Sequence, residues 1–260
     1  MLGLMATDDH IWRVPPANLL LGSDDDVHVW RACLDVKEPR LRSLSHIISK
    51  DELRKAKRFH FKRDRERFIV RRGLLRTILG RYLDVEPNRL HFCYNPYGKP
   101  TLDTSGKEKI SFNLSHSHGL ALFAIARVGE IGVDLERIRP GLSDDNIAER
   151  FFSHPEIALL KTLSGNIRRQ KFFSYWSRKE AYIKARGKGL SIPLACFDVS
   201  MAPGNPVVLL NPEGVPESSR QWFLRDLIVG SNYAAAIAAE GNGWRLSCWQ
   251  WPEHQSESCA

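Results

Sequence analysis

The sequence predicts an α+β protein, and three observations point there. Two helical blocks each open on Ser-x-x-Glu, at Ser49–Glu52 and Ser153–Glu156, the spacing of a capping box. Each block is followed by apolar or alternating segments of strand length. The segments Ala124-Ile-Ala-Arg-Val-Gly129 and Ala236-Ile-Ala-Ala-Glu-Gly241 also match in outline. Short apolar matches arise by chance as well as by duplication, so the repeat by itself leaves both open. A duplication makes two similar α/β halves around a pseudo-twofold axis, 1–130 and 131–260, with an active site in the cleft between them.

The elements follow in order. Val27–Leu34 alternates and is expected to be a strand. Asp51–Leu83 is expected to be helical and strongly basic, with Phe68, Ile69, Leu74, Leu75, Ile78, Leu79, Tyr82 and Leu83 as its buried stripe. Arg89–Tyr94 reads as a strand and Asn95-Pro-Tyr-Gly-Lys-Pro100 as a turn. Gly119–Arg127 is a strongly apolar strand, followed by a turn at Gly129 and a strand over Gly132–Glu136. In the second half, Pro155 falls in a first helical turn, where a missing N–H costs little. A helix from about Arg168 to Arg186 ends at Gly187, a natural C-terminal glycine. Ala202–Arg220 is expected to be a hairpin or a long loop, and Trp222–Val229, Tyr233–Ala239 and Trp244–Trp249 read as strands.

Bulk properties bound the function. A chain of 260 residues with 43% hydrophobic and 26% charged residues is an ordinary globular protein with ample core. The net charge of +8 favours an anionic partner: nucleic acid, a phosphorylated small molecule or an acidic protein surface. Five scattered cysteines with no C-x-x-C pair argue against a disulfide framework or a Cys-type zinc site, and for a reducing compartment. Met1–His10 lacks the features of a signal peptide, and nothing approaches the roughly 20 apolar residues of a membrane span. A cytoplasmic location is therefore expected.

Three carboxylates carry most of the chemical signal. Asp134 and Glu136 sit two apart on a strand and so share a face. Phe172, Trp176, Glu180 and Lys184 form one stripe of a helix at spacing four. Buried charge is costly unless paired or metal-bound. The alternatives are a solvated strand face and an i, i+4 ion pair. Oxygen ligands of this kind favour Mg²⁺, and no His/Cys cluster competes for a softer metal. Phe112-Asn-Leu-Ser-His-Ser117 places Ser115, His116 and Ser117 at a strand entrance, either as phosphate donors or as a polar turn that satisfies its own backbone. The basic block from Arg54 to Arg81 is a solvated face, a set of phosphate clamps or a nucleic-acid footprint. No helix-turn-helix, zinc-finger or RNP pattern supports the last. No P-loop or G-x-G-x-x-G is present.

Taken together, Asn95–Pro100, Phe112–Ser117, Gly132–Glu136 and Trp176–Lys184 occur in the order and approximate spacing of 4′-phosphopantetheinyl transferases of the surfactin-synthetase-activating type. Arg150-Phe-Phe-Ser153 and Gly187-Lys-Gly-Leu190 also resemble that family, and the resemblance runs from about Ile48 to Phe197. It implies two α+β halves in one chain, with coenzyme A in the cleft and Mg²⁺ (or Mn²⁺) as the metal. It implies a holo-carrier-protein synthase that moves 4′-phosphopantetheine from coenzyme A to a serine of an apo acyl or peptidyl carrier protein, leaving adenosine 3′,5′-bisphosphate. Matched residue by residue, Asp134, Glu136 and Glu180 are the metal ligands. Lys55, Lys99, Pro100, Ser115, His116 and Lys184 match coenzyme A contacts, with Glu180, Lys184 and His116 in the catalytic role. Carriers of fatty-acid, polyketide and nonribosomal-peptide synthesis all remain open as partners, and a monomer without nucleic acid or membrane is expected. The competing readings are a metal-dependent phosphohydrolase, which shares the carboxylates and basic helices, and a basic nucleic-acid-binding protein, which leaves Glu180 on an aromatic stripe unexplained.

Overall fold

The computed structural model describes residues 11–103, 110–127, 129–139, 145–199, 208–209, 222–241 and 243–252. The expected hairpin or loop over Ala202–Arg220 lies outside them except for residues 208 and 209, as do Met1–His10 and the tail from residue 253. The first half runs β1 (Asp26–Cys33), α1 (Glu38–Ile47), α2 (Lys50–Ala56), α3 (Lys62–Leu83), β2 (Phe92–Tyr94), β3 (Pro100–Leu102), β4 (Ser111–Ser117) and β5 (Leu120–Ala126). The second runs β6 (Ile131–Arg137), α4 (Asp145–Phe151), α5 (His154–Lys161), α6 (Gly165–Arg186), β7 (Phe197–Asp198), β8 (Val208–Leu209), β9 (Trp222–Asp226) and β10 (Tyr233–Glu240). One more strand follows, β11 (Arg245–Gln250).

The two runs have the same order: a strand, three helices, a small two-stranded sheet and two strands. Pairing repeats as well. The first sheet has the order β11-β1-β5-β4 and the second β6-β10-β9, so β1, β5 and β4 correspond to β6, β10 and β9. The α+β duplication is thus the right reading of the repeat. The last strand departs from a clean division at 130/131, because β11 crosses back and pairs in parallel with β1 of the first half.

Strand alternation sorts the core into layers. Along β5, Ala121, Phe123 and Ile125 face α1 and α3, while Leu122, Ala124 and Ala126 join a core shared by both sheets. Val27 and Val29 of β1 meet Ile131, Val133 and Leu135 of β6 and Ala235, Ile237 and Ala239 of β10 in that shared core. Ala236 and Ala238 face the other way, towards Tyr182, Ala185 and the rest of the α6 core.

Both capping boxes form, and both glutamates have a second role. The amides of Glu52 and Glu156 donate to Ser49 and Ser153, and the carboxylates accept from the serine amides in return. Each carboxylate is also buried against the long helix of its own half. Glu52 pairs with Arg72 and Arg76 of α3, and Glu156 with Lys179 of α6 at 2.9 Å with both side chains fully buried. Burial pushes the Glu156 carboxyl up and the Lys179 ammonium down, each opposed by its partner's charge. Burial works against the Glu52 charge too, but Arg72, the Ser49 amide and Arg76 together hold that carboxyl below its usual value.

Three expectations change. The basic block is two helices, because the chain turns between Ala56 and Lys62. Helix α1 was not anticipated, since only Leu44 of its ten residues is buried and its apolar pattern is thin. Phe112–Ser117 is a full strand rather than a strand entrance or a turn. Its polar residues alternate inward, a pattern that reads as loop. Of the described cysteines, Cys93 and Cys196 are free thiols and Cys248 is buried, whereas Cys33 is disulfide-bonded, so the expectation of a chain without disulfides is corrected there. Among the described residues no helix is long and apolar enough to cross a membrane.

Two predictions follow from the buried charges. Lys179→Met strands Glu156 as an unpaired buried carboxylate and should cost about 3–5 kcal/mol in urea unfolding; a loss under 1 kcal/mol would mean the pair is not structural. His28 is 4% exposed and its Nδ1 meets the Tyr82 hydroxyl at 2.7 Å. Burial holds His28 at about 4 rather than 6.5, opposed by Asp26, so the folded chain resists a proton that the unfolded chain accepts. Its contribution is intact above pH 6.5 and is lost as pH falls from there to about 4, by up to roughly 3 kcal/mol. Denaturant titrations across that window should show a smaller acid loss for His28→Leu than for the native chain.

Candidate active site

The site forms where the edge of β6 meets β4. In its own sheet β6 is an edge strand, with β10 on one side only. On the other side, three inward side chains of β4 accept its outward amides. Val133 N–H donates to Asn113 Oδ1 at 3.0 Å, Leu135 N–H to Ser115 Oγ at 3.3 Å and Arg137 N–H to Ser117 Oγ at 3.0 Å. An unsatisfied buried amide is expensive, so this polar row holds the halves in one register.

Ser115 also bonds forward. Its hydroxyl lies 2.9 Å from Asp134 Oδ1, and Lys184 Nζ reaches both, at 3.0 Å from Ser115 Oγ and 2.5 Å from Asp134 Oδ1. Lys184 gets there because β6 packs directly on α6. A β-carbon at Gly132 would stand 2.1 Å from the Ala181 carbonyl and 2.3 Å from the Ala185 amide, so glycine is required at this approach. Asp134 is 2% exposed, and its second oxygen, Oδ2, is buried without a hydrogen-bond partner.

Glu136 and Glu180 share the field of Asp134. Burial first, then Asp134 and Glu180, push the Glu136 carboxyl up to about 7 against the pull of Lys184. Burial and Asp134 raise Glu180 as well, again opposed by Lys184. Asp134, Glu136, Glu180, Ser115 and Lys184 are thus brought together. They do not form a ready-made cage: among the described residues no three His, Cys, Asp or Glu side chains are drawn tightly enough to hold a metal ion. The Lys184 ammonium pairs with Asp134 Oδ1 in their midst. The donor set nevertheless fits a hard divalent cation, with carboxylate oxygens only and the orphaned Oδ2 of Asp134 among them.

His116 points to the opposite face of β4 from Ser115. It borders a groove of about 290 Å³ whose walls include Arg63, Arg67 and Arg71 of α3, with His118 and the rings of Phe59 and Phe68. Partial desolvation, then the charges of Arg71, Lys184 and Arg67, hold His116 down at about 4. Arg71 Nη1 contacts His116 Nε2, and Arg71 Nε is buried without a partner. Burial and Arg72 lower the Arg71 guanidinium to about 10. Arg67 is committed to Asp35 through two bonds of 2.7 and 2.6 Å.

The remaining expected contacts lie apart from that groove. Lys55 is exposed on α2, its ammonium 4.9 Å above the Tyr94 ring. Pro100 opens β3 opposite Tyr94. Lys99 is tied to Glu130 and donates to the Ala185 carbonyl at 2.7 Å, at the end of α6. Sequence reasoning placed Arg63 and Arg71 only within a basic block. Nothing in the sequence separates them from the other arginines of that run; only the groove beside His116 does.

Residues 130–238 match the family model of the 4′-phosphopantetheinyl transferase superfamily, and residues 35–127 match that of the 4′-phosphopantetheinyl transferase N-terminal region. The 4′-phosphopantetheinyl transferase HetI of Nostoc sp. is 41% identical over 243 residues, covering 93% of this chain and 99% of that one. The 4′-phosphopantetheinyl transferase Sfp of Bacillus subtilis is 30% identical over 192 residues, covering 74% of this chain and 82% of that one. The two matched regions meet at the β5–β6 junction, where the first half passes into the second, and the chain belongs to the 4′-phosphopantetheinyl transferase superfamily.

Proposed function

We propose that this protein transfers 4′-phosphopantetheine from coenzyme A to a serine hydroxyl of an apo carrier protein, releasing adenosine 3′,5′-bisphosphate. One observation carries the reading. A carboxylate with an unpartnered buried oxygen, Asp134, shares a seam with a serine hydroxyl and a lysine ammonium, next to a cationic groove. That combination suits a pyrophosphate better than a neutral substrate.

Asp134, Glu136 and Glu180 would hold the Mg²⁺, which when bound neutralises pyrophosphate charge. The groove takes an anionic end of coenzyme A, with His116, Arg71 and Arg63 as its donors. Lys184 and Ser115 meet the pyrophosphate from the seam. The product keeps one phosphate on the pantetheine, so the serine oxygen forms a bond to that phosphorus and the P–O bond to the second phosphate breaks. The electron pair leaves on adenosine 3′,5′-bisphosphate, where Lys184 stabilises it. The serine proton passes to a carboxylate oxygen of Glu180. The acceptor is a carrier protein or carrier domain of acidic surface, met by the basic residues of α2 and α3, and the transferase itself acts as a monomer in the cytoplasm.

Incubation with apo carrier protein, coenzyme A and Mg²⁺ should add one phosphopantetheine to the carrier by intact mass. Cleavage of coenzyme A with no mass gain on any carrier would favour the hydrolase reading. Asp134→Ala and removal of divalent metal by chelation should each reduce loading about 10²-fold or more. Asp134→Ala at the native rate would sink the site. Lys184→Ala should lower the transfer rate; an unchanged rate would remove it from the mechanism. Raising salt from 50 to 500 mM should raise the KM for carrier more than it lowers kcat, because steering between exposed charges is screened; a salt-independent KM would exclude electrostatic docking.

A further inference from the structure

The turn between β2 and β3 is attached to the end of α6. Asn95 builds that turn, since its Oδ1 accepts from the amides of Tyr97 and Lys99, both at 2.9 Å. Its Nδ2 then donates to the Gly187 carbonyl at 2.7 Å, 92 residues along the chain. Gly187 lies just beyond α6 in the left-handed region, at φ 63°. The turn's other anchor is Lys99, on the Ala185 carbonyl. The last carbonyls of a helix lack intrahelical donors, and here one turn serves two of them. The fit is close: a β-carbon at Gly187 would stand 2.8 Å from Lys99 Cδ and 3.2 Å from Asn95 Nδ2. On its other side the same stretch rests on Gly132 of β6. Residues 181–187 are therefore held from two directions, and Lys184 stands within them.

We propose that Asn95 is a positioning residue for Lys184. Its donation to Gly187 fixes the last turn of α6 in the register that puts the Lys184 ammonium between Ser115 and Asp134. A frayed last turn would let that long side chain leave the seam, and misplacement by about 1 Å costs up to 10²-fold in rate. Asn95 acts through Gly187, and its part in transfer rests on the function proposed above.

Asn95→Asp separates the two roles, because it keeps both Oδ1 bonds that build the turn and loses the donor to Gly187. In single-turnover loading with enzyme in excess, Asn95→Asp and Asn95→Ala should both slow transfer about tenfold with the KM for carrier within twofold. In a Lys184→Gln background, Asn95→Asp should cost less than twofold, since residues acting through one group are non-additive. An Asn95→Asp chain at the native rate, or an equal cost in both backgrounds, overturns the proposal. A second measurement needs no turnover: amide hydrogen exchange at Gly187, whose N–H donates to Ile183, should rise at least tenfold in Asn95→Asp. Unchanged exchange overturns the clamp itself. If exchange rises while the native chain loads no carrier, the clamp stands and the transfer reading falls.

Discussion

The row of bonds from Asn113, Ser115 and Ser117 to the outward edge of β6 is the constraint on which the rest depends. A sheet edge presents a line of amides and carbonyls that must be met. Another strand at that position would fill the seam with backbone and leave no room for side-chain chemistry. Side chains of alternating β4 residues meet the edge instead, and one of them, Ser115, still has a hydroxyl to spend on Asp134. The seam that joins the halves is therefore also the seam that orders the acidic site.

Each half is stiff enough to support that seam because each long helix is anchored from below. The buried glutamate of a capping box holds α3 through Arg72 and Arg76, and its counterpart holds α6 through Lys179. A charge of this kind is poor as a source of net stability, but removing one partner is severe. It fixes where the helix lies along the sheet. For α6 that placement matters directly, because Glu180 follows Lys179 in the chain and Lys184 lies little more than one turn further on.

The sequence was most legible where local rules and tertiary packing agree. Both capping boxes, the Gly187 stop and the apolar strands β5 and β10 satisfy cap or alternation rules that the fold merely reuses. Asp134, Glu136, Glu180 and Lys184 were readable because their spacings put them on one strand face and one helix stripe. Helix α1 and strand β4 were not, for opposite reasons. The first buries too little to show a period, and the second buries its polar face. Lys99 was legible only as a turn cation, since its attachment to the Ala185 carbonyl depends on a contact 86 residues away. Arg71 was lost in a run of like residues, and only the groove beside His116 distinguishes it from solvated neighbours.

Duplication raises the question of why the protein has one seam of this type rather than two. The pseudo-symmetric counterpart of β4 against β6 is β9 against the free edge of β1. That edge is already taken, because β11 lies along it in parallel from Asp26 to Arg31. The long helices differ accordingly. Counted from their first residues, the two 22-residue helices set Thr77 of α3 against Glu180 of α6, and the Thr77 hydroxyl donates back to the Gly73 carbonyl at 2.9 Å. In one half the strand edge is closed by backbone and the helix above it carries Thr77 in place of an acid at that position. In the other the edge is closed by side chains and the helix carries Glu180 and Lys184. The added strand thus breaks the symmetry of a doubled scaffold, leaving the β4–β6 seam open to chemistry.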